Sequence, residues 1–151
     1  MRRAETHPDP AEPSSATTDE QTPTDSRRVL IVDAANVVGS VPDGWWRDRR
    51  GATARLRDRL APLAESGIAG LRPPVHIVLV AEGRACGVET TLQVTVVDAP
   101  AAGDDTIVDL VRTDRDHTVI VVTADRELRR RVTALGALTV GPSTIPRPEC
   151  R

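Results

Sequence analysis

The chain has 151 residues, enough for one domain of ordinary size, and 39% of them are hydrophobic. All 20 basic residues are arginines, which excludes mechanisms that need a lysine, such as Schiff bases or the phosphate-binding lysine of a P-loop. The net charge is −2, and it is unevenly distributed: residues 1–26 are acidic, whereas the remainder, with 18 Arg and 16 Asp or Glu, is slightly basic. This remainder is too weakly charged for a protein that coats nucleic acid.

The N-terminal segment 1–26 is rich in Pro, Thr, Ser and acids and is predicted to be a disordered tail. The pattern changes at Arg27, where "RRVLIVDAANVV" opens with a buried strand. A helix is predicted over residues 45–65, capped by Asp43, with an apolar stripe and with Pro62 near its end as a stop or kink. The stripe contains Ala52, Leu56, Leu60 and Leu63.

The rest of the chain alternates apolar strands with short helices. The strands are "VHIVLVAEG", "LQVTVVDAP", "HTVIVVTAD" and the short "ALTVG", and the helices are "DDTIVDLVRT" and "RELRRRVTALG". Strands that are apolar on both faces are typical of a parallel sheet covered by helices on both sides. We therefore predict a three-layer α/β/α, Rossmann-like domain over residues 27–142, with a mostly parallel sheet of about five strands and a flexible tail at 143–151.

Carboxylates follow the strands of this predicted sheet. Because the carboxyl ends of parallel strands meet at one edge, where ligands bind in such folds, these acids are expected to lie together. Asp33 is embedded in an apolar run, where an unpaired charge is costly, and several converging carboxylates are most simply compensated by a hard cation such as Mg²⁺ or Mn²⁺. Each acid also has a plainer role as a helix cap or a solvated loop residue, the preferred interpretation of Glu82 and Asp98. The acids at this edge are Asp33, Glu82, Asp98, Asp104, Asp105 and Asp125.

Three segments, "VLIVDAANVV", "GDDTIVDLV" and "VIVVTADREL", resemble the NYN domain of the PIN-like nuclease superfamily over roughly residues 27–142. The resemblance implies a PIN fold and metal-dependent cleavage of RNA phosphodiester bonds. Many relatives carry a further Asp one helical turn beyond Asp125, where this chain has Arg129. The resemblance assigns the acidic site to Asp33, Asn36, Asp104 or Asp105, and Asp125.

RNA would approach this acidic edge along basic and aromatic side chains. The two tryptophans, Trp45 and Trp46, are the only aromatic residues. Trp45 shares the apolar stripe of the predicted helix and is expected to be largely buried, whereas Trp46 lies off the stripe and is a candidate for base stacking. The candidate RNA-binding residues are Trp46, Arg47, Arg50 and Arg84.

Two other classes of protein need features that this sequence lacks, and two further functions stay open. A haloacid-dehalogenase-type phosphatase needs an Asp where Ala35 stands, and a dinucleotide-binding protein needs a glycine-rich turn after the first strand. A catalytically silent RNA-binding or interaction module, and a metal-dependent nucleotide phosphohydrolase, both remain open. The widely spaced Cys86 and Cys150, with no apolar run of about 20 residues, indicate a reduced, cytoplasmic protein with no membrane span. The sequence leaves open whether the protein forms a homodimer.

Overall fold

The computed structural model describes residues 27–147, so the predicted N-terminal tail, 1–26, and Cys150 lie outside it. Five parallel strands form one sheet in the order β3-β2-β1-β4-β5. The predicted fold class, an α/β protein with a five-stranded parallel sheet, is confirmed. The strands are β1 Arg28–Asp33, β2 His76–Ala81, β3 Val94–Asp98, β4 Thr118–Val122 and β5 Leu138–Val140.

Helices cover both faces of the sheet, because the central strands are apolar on both sides. In β1, Leu30 and Val32 pack into one core cluster while Val29 and Ile31 pack into the other, and all four are fully buried. The first cluster includes α1 (Ala34–Gly39), α2 (Arg49–Leu60) and α3 (Leu63–Ser66). The second includes α4 (Gly103–Thr113) and α5 (Arg126–Thr133). No helix in residues 27–147 is long and apolar enough to cross a membrane.

The single helix predicted over residues 45–65 is wrong, because the chain is interrupted twice. A short 3₁₀ helix, Trp45–Arg47, ends at Asp48, whose backbone is not helical and whose carboxylate accepts a hydrogen bond from the Gly51 amide at 2.9 Å. Asp48, and not the predicted Asp43, is therefore the cap of the helix. Pro62 separates α2 from α3, as its missing amide proton leads one to expect.

Two further elements depart from the sequence prediction. Helix α1 begins directly after β1, in a stretch that carried no predicted helix, and Asn36 lies within it. At the other end, Ile145 is only 2% exposed and packs into the first core cluster. The packed domain thus extends beyond residue 142, into the segment predicted to be a flexible tail.

The strand order fixes where a site can form. From β1 the chain first builds outward through β2 and β3, and then crosses back to add β4 and β5 on the other side of β1. The direction of winding therefore changes between β1 and β4. In open parallel sheets this change leaves a crevice at the carboxyl ends of the two strands, where ligands bind.

Candidate active site

A cleft of about 360 Å³ opens at this point of the sheet. Four of its seven lining residues are acidic, and they come from four separate segments of the chain. The cleft brings together four of the predicted site residues, Asp33, Asn36, Asp104 and Asp125, but not Asp105. The lining residues are Asp33, Ala35, Asn36, Glu82, Ala102, Asp104 and Asp125.

Asp33 occupies the centre of this arrangement, at the last position of β1. Its carboxylate caps α1, accepting a hydrogen bond from the Asn36 amide at 3.4 Å, and also accepts one from the Thr123 hydroxyl at 2.9 Å. Burial raises the pKa of Asp33 against the lowering effect of these two hydrogen bonds, and the nearby charges of Glu82 and Asp125 raise it further. The site therefore holds a carboxylate whose negative charge the protein does not fully compensate.

Thr123, which sequence reasoning missed, connects Asp33 to the turn that follows β4. This fully buried residue donates its hydroxyl proton to Asp33, and the same oxygen accepts from the Asp125 amide at 3.2 Å. Its carbonyl oxygen accepts from Arg129 Nε at 2.8 Å. Arg129, at the position where many NYN domains have an Asp, thus holds the turn in place.

Asn36 and Asp125 both support the same turn. Asn36 Oδ1 accepts a hydrogen bond from the Ala124 amide at 2.8 Å, joining α1 to the β4–α5 turn. Asp125 caps α5 by accepting from the Leu128 amide at 3.0 Å, yet it is exposed and faces the cleft. Its predicted roles as cap and as site residue are therefore compatible, since a carboxylate has two oxygens.

Glu82 was interpreted from the sequence as a solvated loop acid, and this interpretation is wrong. Its side chain is half-buried, lines the cleft and accepts a short hydrogen bond from the amide of Gly103, the first residue of α4. A Cβ at Gly103 would lie 3.3 Å from the Glu82 carboxylate, so the glycine permits this close approach. Asp98, by contrast, is exposed and binds the Gly87 amide outside the cleft.

The adjacent acids Asp104 and Asp105 have different positions. Asp104 lines the cleft with its side chain 38% exposed, whereas the Asp105 side chain is 69% exposed and is absent from the lining. Both acids form salt bridges with Arg131 of α5, Asp105 at 3.0 Å and Asp104 at 3.7 Å. The structure therefore favours Asp104 as the site residue, and the inclusion of Asp105 in the candidate catalytic and metal-binding set is corrected.

The oxygen ligands of the cleft are of the type that a hard divalent cation prefers, but their side chains do not form a compact cluster. Carboxylate and amide oxygens are the ligands that Mg²⁺ and Mn²⁺ prefer. Within residues 27–147, no three His, Cys, Asp or Glu side chains lie close enough together to form a metal cluster.

The candidate RNA-binding residues separate into two groups. Trp46 is 54% exposed, with the Arg47 guanidinium 5.8 Å from its ring centre, and Arg84 is exposed in a short 3₁₀ helix after β2. Arg50 instead donates from Nε to the Cys86 carbonyl at 3.1 Å, and so holds the loop after β2. Arg50 therefore has a structural contact, and its assignment to RNA binding stays a prediction.

Trp45 is less buried than predicted. Because it lies in the short 3₁₀ helix rather than in α2, its ring packs only partly against the first core cluster. The Trp46 ring lies edge-on to the Trp45 ring, with 6.0 Å between the ring centres. The Arg49 guanidinium lies 5.2 Å from the centre of the Trp45 ring. The side chain therefore has one part in the core and one part at the surface.

Comparison with known proteins supports the fold. No protein-family model matches the chain, and the curated proteins contain no significant sequence match. Among solved structures, the chain is similar to Rae1 (YacP) from Bacillus subtilis, with a TM-score of 0.62 and 19% sequence identity. The similarity covers 78% of this chain and 72% of Rae1. At this level of identity the similarity shows a shared fold.

Proposed function

We propose that this protein is a metal-dependent ribonuclease of the NYN type, which hydrolyses phosphodiester bonds of RNA in the cytoplasm. The observation that carries the proposal is the buried carboxylate of Asp33, placed among three further acids in a cleft at the change of winding direction. Burial raises the pKa of Asp33, and the nearby charges of Glu82 and Asp125 add a smaller effect in the same direction, as expected for a carboxylate that a bound cation would stabilise. The motifs that resemble NYN domains, and the fold shared with Rae1, agree with this assignment.

In this proposal Asp33, Asp104 and Asp125 would hold Mg²⁺ or Mn²⁺, directly or through water. Such an ion, when bound, supplies Lewis acidity toward a phosphate and a charge that offsets the carboxylates. Glu82 has a positioning role, because it holds the first amide of α4 and so places Asp104 at the cleft. Asn36 has a similar role, since its side-chain oxygen fixes the turn that carries Asp125.

Positively charged and aromatic side chains outside the acidic cleft would bind the RNA as it enters. Trp46 offers an exposed ring on which a base can stack, and Arg47 and Arg84 are exposed cations that can bind backbone phosphates. Binding should therefore weaken as the salt concentration rises, while specificity for RNA comes from contacts to unpaired bases.

The decisive experiment compares cleavage of single-stranded and structured RNA in Mn²⁺, Mg²⁺ and EDTA by the protein and by its Asp33→Asn variant. We expect metal-dependent cleavage that EDTA abolishes and that Asp33→Asn reduces by at least about 100-fold, because the central charged oxygen donor is lost. Asp109→Asn is the matched control. Asp109 lies on α4 and forms an exposed salt bridge with Arg112, so this variant should cleave at the normal rate.

A second candidate function is supported by Arg129. This residue places a guanidinium beside the β4–α5 turn where many NYN domains have an acid, which reduces the number of metal-binding groups. A catalytically silent RNA-binding module is the function that this observation favours. Tight RNA binding with no cleavage in any metal would support it and refute the nuclease, whereas release of phosphate from nucleotides would point to a phosphohydrolase.

A further inference from the structure

A second, smaller cavity of about 50 Å³ lies next to the acidic cleft and has a different character. Its lining includes Trp45 of the short 3₁₀ helix, together with Arg49 and Thr53, which lie four residues apart in α2 and so share one side of that helix. Small apolar side chains line much of the remainder. Ala35 and Glu82 line both the cleft and this cavity, so the cleft and the cavity are adjacent.

Thr53 provides independent evidence that this cavity receives a ligand. The residue is 1% exposed, and in residues 27–147 its hydroxyl forms no hydrogen bond. Helical threonines commonly bond to the carbonyl four residues earlier, as Thr113 does to Asp109 and Thr133 to Arg129. A buried polar group without a partner costs free energy, so a hydroxyl retained at the wall of a cavity is explained when a ligand completes its hydrogen bonding.

We propose that this cavity binds a nucleobase of the RNA, next to the phosphate held at the acidic cleft. This inference rests on the proposed function and extends it by assigning a base-binding subsite to Trp45, Arg49 and Thr53. The shared border at Ala35 and Glu82 leaves room for a sugar to connect base and phosphate.

The chemistry of the lining matches the edge and face of a base. Trp45 and the alanines supply apolar surface for a planar ring, while three polar groups can meet its heteroatoms. Arg49 offers several donors, and its guanidinium is already held against the Trp45 ring. Thr53 can donate or accept, and Glu82 has one carboxylate oxygen beyond the one bound to Gly103. A purely apolar occupant would leave these groups without partners.

Tryptophan fluorescence can test this proposal separately from catalysis. In a Trp46→Phe variant, Trp45 is the only aromatic reporter of indole type. Guanosine and uridine 5′-monophosphates would be titrated in Mn²⁺, with ribose 5-phosphate as the probe that lacks a base. We expect a saturable change in Trp45 emission with the nucleotides and none with ribose 5-phosphate.

Substitutions in the same background then assign the subsite. Arg49→Gln and Thr53→Val should each weaken nucleotide binding by about tenfold, since each removes one hydrogen-bonding group. Thr53→Val should also unfold at an equal or higher temperature, because it removes a buried hydroxyl that lacks a partner; a merely structural threonine would not combine both effects. Arg112→Gln, at the exposed surface of α4, is the control and should bind normally.

The outcomes separate this inference from the proposed function. Base-dependent binding that Arg49→Gln and Thr53→Val weaken supports the subsite even if the protein does not cleave RNA. Cleavage of RNA together with equal fluorescence responses to ribose 5-phosphate and the nucleotides overturns the subsite and leaves the nuclease intact. Normal nucleotide affinity in both variants overturns it as well.

Discussion

Replacement of Thr123 by valine tests the hydrogen-bond network beneath the acidic cleft. Valine keeps the shape of the side chain but removes the hydroxyl that donates to Asp33 and accepts from the Asp125 amide. A hydrogen bond to a charged group contributes about 1.5–3 kcal/mol to stability. We therefore expect Thr123→Val to lower the free energy of unfolding by about 2–3 kcal/mol at pH 8, without metal.

The pH dependence of this loss identifies Asp33 as the partner. Burial raises the pKa of Asp33 in the folded protein, so its contribution to stability is full below the unfolded value of about 3.9 and is lost as the pH rises through the folded value. The Thr123 hydrogen bond lowers the folded-state pKa, so removing it raises that pKa further and enlarges the loss. The stability difference between wild type and variant should therefore widen from pH 4 to pH 8.

Urea unfolding at several pH values between 4 and 8 measures this difference. At pH 4 the bond approaches a neutral one, so the deficit should fall to about 1 kcal/mol. Thr95→Val, in the edge strand β3 and outside the cleft, is the matched control and should show no such widening. A deficit that is constant across this range would refute the reasoning, since it would show that Thr123 does not act through the Asp33 carboxylate.

Three other substitutions test separate parts of the structure. Asp104→Asn should reduce RNA cleavage at least about tenfold while Asp105→Asn stays within about twofold, because only Asp104 lines the cleft; equal effects in the same cleavage assay would contradict this assignment. Ile145→Ala should destabilise the domain by about 2–4 kcal/mol in urea unfolding, and a loss below about 0.5 kcal/mol would show that residue 145 is not packed. Trp46→Ala should weaken RNA binding, measured by fluorescence anisotropy, by about fivefold with little change in melting temperature; loss of stability instead would assign the ring to packing.

The sheet was predictable because each long strand has a recognisable local sequence pattern. Runs such as "VLIV" and "VIVV" are apolar at every position, as strands buried on both faces must be, and their alternation with helices predicts the parallel order. The missed helix α1 lacks such a signal. It is only six residues long and contains two adjacent β-branched residues, Val37 and Val38, so its sequence reads as a continuation of strand and turn.

Only those site residues that directly follow a strand could be placed from the sequence. Asp33 and Asp125 follow strands, and their shared edge follows from parallel topology. The role of Glu82 depends on the Gly103 amide, 21 residues later in the chain, and both Asp104 and Asp105 contact Arg131, 26 residues after Asp105. No local pattern reports such long-range partners, which arise only when α4 and α5 pack together on the sheet.

The bonds around Thr123 have a consequence for the energetics of ligand binding. The turn between β4 and α5 is held at three points: the Thr123 hydroxyl, its carbonyl bond to Arg129, and the bond from the Ala124 amide to Asn36. The conformational entropy of this turn is thus lost during folding rather than on encounter with a ligand. An edge preorganised in this way should bind its ligand with little rearrangement of the backbone, so that affinity is governed by charge and hydration rather than by the closure of a loop.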